Sequence, residues 1–86
     1  MTVRPASDVV SRRVGDDVVL ISLATNRIYE LNVTGARLWE LMSSGSTPDT
    51  TIAQIVREFD VTPDVASTEL DTLMNMLRTE GLIIET

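Results

Sequence analysis

The 86-residue chain has no cysteine and no histidine, and all seven of its basic residues are arginine, so lysine is also absent. Without cysteine it has neither a disulfide framework nor a thiolate nucleophile. Without histidine it lacks the commonest general base and zinc ligand. A serine or threonine nucleophile also has no basic partner, since lysine is missing as well. We therefore expect a protein that is not an enzyme.

Sites for metals and cofactors are equally scarce in the sequence. Carboxylates are the only good metal ligands, and the pairs Asp16–Asp17 and Glu69–Asp71 are too few and are expected to be solvated. The four glycines, at positions 15, 35, 45 and 81, are isolated and form no phosphate-binding loop. The sequence predicts no metal and no cofactor.

Long apolar runs and aromatic residues are also few. No run approaches the roughly 18 to 20 apolar residues that cross a bilayer, and the N-terminus lacks an apolar signal core. The chain is 43% hydrophobic with one Trp, one Tyr and one Phe, which predicts a core of aliphatic side chains. Its length suits a single domain over residues 1–86. We expect a cytoplasmic protein with no membrane partner.

The first half of the chain has the pattern of a β-meander. Residues 1–7 are expected to be a loose start. Strands are predicted over residues 8–14, 18–23 and 27–32, separated by the turn residues of 15–17 and 24–26. The second strand is the richest in β-branched residues and is placed in the middle. The third strand therefore lies at an edge of the sheet, with backbone groups open to another chain.

Three helices are predicted after the meander. The first covers residues 35–44, with Thr34 as its N-cap and Asn32 as the alternative, and its Trp39 is assigned to the core. The second begins at the capping box starting at Thr51 and ends near residue 60. The third begins at Thr62, before a proline and an acid, and ends at Gly81. Residues 82–84 form an apolar tail, expected to fold back in an extended conformation.

These elements predict an α+β fold of winged helix-turn-helix type, a three-stranded antiparallel β-sheet followed by three α-helices. Such a layout raises DNA binding as one hypothesis. A recognition helix should present basic or amide side chains to bases and phosphates. The third helix carries mainly acidic residues, and the chain has a net charge of −6. We expect no nucleic acid partner, because an acidic chain is repelled by the negatively charged phosphate backbone.

A family resemblance is carried by the residues around the third strand. The run Tyr29-Glu30-Leu31-Asn32 is followed by Thr34-Gly35-Ala36, by Trp39 and Leu41, and near the end by Gly81-Leu82. Their order and spacing resemble the PqqD-like family, small domains that recognise leader peptides of ribosomally made natural products. The run Asn26-Arg27-Ile28-Tyr29 looks most like the stand-alone leader-binding proteins of lasso-peptide biosynthesis.

The resemblance implies a non-catalytic RiPP recognition element that binds the leader segment of a precursor peptide. In this family the leader adds as an antiparallel strand to strand three and lies in the groove against the third helix. The implied partners are a leader peptidase resembling transglutaminase-type cysteine proteases and, afterwards, an ATP-dependent macrolactam cyclase. Two alternatives stay open: a PqqD-type peptide chaperone for a radical-SAM maturase, and a winged-helix DNA-binding regulator.

The expected peptide-binding residues lie on strand three and on the third helix. They are Arg27, Ile28, Tyr29, Glu30 and Leu31 on the strand, and Glu69, Leu70, Leu73, Met74, Met76 and Leu77 on the helix. Flexible thioethers suit an adaptable pocket, although Met74 and Met76 could equally be core residues. The open edge of strand three also allows a homodimer.

Overall fold

The computed structural model describes residues 3–85 and confirms the α+β architecture, with antiparallel strands followed by three helices. The strands are β1 Val3–Pro5, β2 Val9–Val14, β3 Asp17–Ser22, β4 Arg27–Leu31 and β5 Ile83–Glu85. The helices are α1 Val33–Ser43, α2 Pro48–Phe59 and α3 Pro63–Thr79.

The predicted meander is confirmed as an antiparallel sheet of order β2-β3-β4. In β3, Val18, Leu20 and Ser22 are buried while the alternate residues are partly exposed, which is the period of two that a sheet with one covered face requires. The turn into β4 places Asn26 at a φ of 60°, a left-handed conformation that asparagine tolerates well. The central position of β3 leaves β4 at an edge.

The expectation of a loose start is wrong for β1. Val3 lies opposite Glu85 and Pro5 opposite Ile83, so β1 and β5 form a separate two-stranded antiparallel ladder. The side chain of Val3 is 2% exposed and belongs to the core. A strand of three residues is too short to show an alternation of apolar and polar side chains, and its partner lies at the other end of the sequence. The local pattern therefore does not predict it. The extended tail is confirmed as β5, while Met1 and Thr2 lie outside the described residues.

The helix starts show which capping signals operate. Asn32, the alternative to Thr34, caps α1, because its Oδ1 accepts a hydrogen bond from the Gly35 N–H at 2.9 Å. Helix α2 begins at Pro48 with Thr47 as its N-cap, so the predicted start at Thr51 is wrong. The Thr51 side chain is buried and its hydroxyl donates to the Met42 sulfur at 3.3 Å. The Thr-Pro-Asp run that begins α2 is the same signal that begins α3 at Thr62.

The main core lies between the inner face of the sheet and the three helices. Leu20, Leu38, Ile55 and Leu77 are each at most 1% exposed. Trp39 is 4% exposed, which confirms it as a core residue. The helices cover one face of the sheet. The outer edge of β4 has no partner strand in residues 3–85, and the flank of α3 beside it is open. This opening is where the candidate site lies.

Candidate functional site

Strand β4 presents a free edge. It pairs with β3 on one side, and within residues 3–85 no strand pairs with its other side. The backbone N–H and C=O groups along such an edge can complete the hydrogen bonding of another extended chain. This edge is the first component of the site.

A cavity of about 230 Å³ lies where the end of β4 meets α1 and α3. Its lining residues are Glu30, Leu31, Asn32, Gly35, Leu38, Glu69, Thr72, Leu73 and Met76. The side chains of Leu31, Leu38 and Leu73 supply an apolar floor that belongs to the buried core. The lining residues of α3 follow spacings of three and four, so they share one face of the helix.

A second cavity of about 240 Å³ is lined by Asp64, Val65, Thr68 and Glu69, on the N-terminal half of α3. Glu69 lines both cavities, so the two are neighbours along one flank of the helix. We call the two cavities together the α3 groove. Val65 is 47% exposed, which makes this end of the groove an uncovered apolar surface.

The other end of β4 is tied to the C-terminal end of α3 through Glu80. The Tyr29 hydroxyl donates to Glu80 Oε1 at 2.6 Å, and Arg27 Nη1 donates to the same oxygen at 3.2 Å. The hydrogen bond to Glu80 raises the pKa of Tyr29, burial adds to the rise, and Arg27 opposes it. This contact holds β4 and the end of α3 together on the inner side of the sheet.

The single tyrosine makes this contact measurable. We expect the Tyr29 phenol to titrate above its usual pKa of about 10, and Glu80→Gln to move the titration back towards that value. Because the folded pKa is raised, the stability from this bond is present below the unfolded pKa and is lost as the pH rises through the folded pKa. Tyrosinate absorbance against pH, in the folded and the denaturant-unfolded chain, measures both values. Equal values in the two states would contradict the contact.

The structure divides the sequence-predicted site residues into groups. Glu30, Leu31, Glu69, Leu73 and Met76 line the α3 groove. Arg27 and Tyr29 engage Glu80, and Ile28 is 69% exposed on the face of the sheet away from the helices. Leu70, Met74 and Leu77 are at most 5% exposed and lie in the core, and none of them lines either cavity of the α3 groove. The two methionines therefore differ, since Met76 is half-buried on the groove and Met74 is core.

Four groove residues were absent from the sequence-based expectation: Asn32, Gly35, Leu38 and Thr72. A signal existed for Thr72, which lies three residues after Glu69 and four before Met76 and so shares their face of α3. Gly35 had a weaker signal. Glycine inside a helix costs about 1 kcal/mol of stability relative to alanine, so its presence suggests that close packing or a binding site requires it. A Cβ built at Gly35 meets Asn32 Oδ1 at 3.4 Å and Leu31 Cβ at 3.5 Å. Both of those neighbours line the groove.

Two other kinds of site are absent from the described residues. Over residues 3–85, no three acidic side chains are grouped closely enough to hold a metal ion. In the same part of the chain no helix has the length and apolar character needed to cross a membrane.

The candidate site of this small α+β domain is therefore an open strand edge beside a groove lined by helix residues. The chain belongs to the PqqD family, because residues 17–83 match the family described as coenzyme PQQ synthesis protein D (PqqD). This match confirms the PqqD-like resemblance inferred from the residues around β4. A search of curated proteins found no match for the sequence.

Two solved structures have the same fold. One is TbiB1 in complex with the TbiA(beta) leader peptide, with a TM-score of 0.87, 26% sequence identity and 96% of each chain covered. The other is a lasso peptide synthetase B1 complexed with the leader peptide, with a TM-score of 0.90 and 18% identity over 99% of this chain and 100% of that one.

Proposed function

We propose that this chain, acting as a single domain, binds the leader segment of a ribosomally made, lasso-type precursor peptide and does no chemistry on it. The observation that carries the proposal is the free edge of β4 directly beside the α3 groove. The likeness to TbiB1, whose structure holds a leader peptide, supports it. The match to the PqqD family over residues 17–83 supports it independently.

The proposed binding mode is addition of the leader as an antiparallel strand to β4. Backbone pairing supplies affinity with little demand on the sequence, and alternate side chains of the peptide enter the groove and supply selection. Leu31 and Leu73 form the floor for these side chains, and the half-buried Met76 adapts its shape to them. A leader held in this way would have one row of side chains facing α3 and the other facing solvent.

The proposed role is to present the precursor to other proteins. A bound leader keeps the attached core segment at high effective concentration near a processing enzyme. The proposed first enzyme is a leader peptidase of the transglutaminase-like cysteine protease type, followed by an ATP-dependent macrolactam cyclase. The tether, and not a catalytic group of this chain, would provide the rate advantage.

A second candidate function is that of a peptide chaperone for a radical-SAM maturase. The observation that favours it is the description of the family itself, which is a coenzyme PQQ synthesis protein. The two candidates share the groove and differ in the precursor and in the enzyme that receives it. Genes encoded beside this chain separate them, since a lasso system needs the peptidase and cyclase and the alternative needs the maturase.

The test is a calorimetric titration of the chain with the leader segment of the precursor encoded beside it, using a scrambled leader as the control. We expect a Kd of roughly 0.1 to 10 μM, which corresponds to about −7 to −10 kcal/mol. No binding by a folded chain would overturn the proposal. Light scattering before and after addition of the peptide shows whether a second copy of the chain occupies the same edge.

Amide hydrogen exchange tests the binding mode separately. Addition of a strand to β4 should slow exchange at alternate N–H groups of Arg27–Leu31, because those groups gain hydrogen-bond partners. The edge strand β2 serves as the internal control, since it lies on the far side of β3 and its exchange should not change. Binding with unchanged exchange along β4 would argue against strand addition.

A further inference from the structure

The glutamates of this chain fall into two groups. Four of the six form an ion pair with an arginine. The pairs are Arg13 with Glu40, Arg27 with Glu80 (3.2 Å), Arg37 with Glu58 (2.9 Å) and Arg78 with Glu85 (2.6 Å). These contacts join separate segments, and they neutralise the four carboxylates within the chain itself.

The two remaining glutamates are Glu30 and Glu69, and neither forms an ion pair with a residue in the described range 3–85. Both line the first cavity of the α3 groove, where β4 meets α1 and α3, and Glu69 lines the second cavity as well. Asp64 adds a third carboxylate to the second cavity. No arginine is among the lining residues of either cavity.

This distribution gives the groove a negative potential above an apolar floor. A carboxylate next to low-dielectric side chains interacts more strongly with an incoming charge than one in bulk water. The net charge of −6 adds a long-range attraction for cations. A single exposed carboxylate is stable in water and by itself indicates no ligand. The concentration of carboxylates left unpaired within residues 3–85 at the groove beside β4 indicates the chemistry of the occupant.

We propose that the leader places a lysine or arginine side chain in the α3 groove, an inference that rests on the proposed function. The methylene stem of that side chain lies on the apolar wall near Leu73 and Met76, as long cationic side chains do on apolar surfaces. Its charge lies against Glu69. Glu30 shares the outward face of β4 with Ile28, so its carboxylate acts on the occupant only from across the strand edge and contributes less. The groove thus selects an amphipathic cationic side chain in addition to apolar ones.

The experiment compares the Kd of the encoded leader for the unchanged chain with its Kd for Glu69→Gln, Glu30→Gln and the double variant. We expect about three- to tenfold weaker binding for Glu69→Gln, less for Glu30→Gln, and the largest loss for the double variant. The control is Asp16→Asn, which removes the same charge from the exposed β2–β3 turn and should change the Kd less than twofold. Circular dichroism verifies that each variant is folded.

The peptide side of the pair is tested by replacing each lysine and arginine of the leader in turn with a neutral residue. One of these leader replacements should weaken binding to the unchanged chain about as much as Glu69→Gln does. The same leader replacement should cause no further loss of affinity when it is measured with the chain that carries both Glu30→Gln and Glu69→Gln. A charge exchange, Glu69→Arg with glutamate at that leader position, should recover affinity. If the leader binds the unchanged chain and binds every glutamate variant equally well, this inference is overturned and the proposed function stays intact. Absence of all leader binding would overturn both.

Discussion

Replacement of Leu20 by alanine should cost about 2 to 5 kcal/mol of unfolding free energy, the range for truncation of a fully buried leucine. Leu20 is 0% exposed at the centre of β3, and it pairs with Ser11 of β2 and Tyr29 of β4. A domain of 86 residues has a total stability of only about 4 to 13 kcal/mol. The loss is therefore a large fraction of the whole, and the thermal midpoint should fall by roughly 8 to 40 °C.

The matched control is Leu23→Ala, the same substitution three residues along the chain. Leu23 is 60% exposed in the turn after β3, so its truncation removes little buried area and should change stability by less than about 0.5 kcal/mol. Urea unfolding of both variants, followed by circular dichroism, gives the two free energies. Similar losses for the two variants would contradict the assignment of the inner face of β3.

Thr72→Trp should abolish most leader binding. Thr72 is exposed on α3 and lines the first cavity of the α3 groove, beside β4, so an indole at this position can occupy space that the leader needs. We expect affinity to fall at least about 100-fold, or 2.7 kcal/mol. Stability should be unchanged or slightly higher, because the indole covers apolar groove surface. Calorimetric titration gives the binding loss, and thermal unfolding verifies the fold.

Asn75→Trp is the control for that variant. Asn75 is also exposed on α3, but it does not line either cavity. An indole there should leave the Kd within about threefold of the original value, since it lies outside the groove. Equal losses at the two positions would mean that the effect of Thr72→Trp is not specific to the groove. Full affinity of Thr72→Trp would mean that the leader binds elsewhere.

The secondary structure was predictable wherever a periodic segment ended in a turn or capping residue. The three strands of the meander and helix α3 are of this kind, because each combines a repeat in hydrophobicity with an end signal. Helix α2 shows the limit of the method. Two capping signals stand four residues apart, at Thr47 and Thr51, and the packing decides between them by burying the Thr51 side chain against Met42.

The candidate site was predictable as a region and less so as a set of residues. The edge position of β4 follows from strand order, and Glu69, Leu73 and Met76 follow from their spacing on one flank of α3. The sequence alone did not separate Met76 from Met74, because both fit an apolar stripe and only the angle at which α3 packs on the core decides which one is covered. The contribution of α1 through Gly35 and Leu38 depends in the same way on how the helices cross.

The sequence by itself determined the aliphatic core, the acidic surface, the lack of cysteine and histidine chemistry, and the order of the three meander strands and the three helices, because composition and local periodicity encode these properties. Tertiary structure alone decided the pairing of β1 with β5, the joining of β4 to the end of α3 through Glu80, and the gathering of α1, β4 and α3 residues around one groove. These contacts join residues that are far apart in the chain. They depend on the packing of whole elements against each other, which no local pattern records.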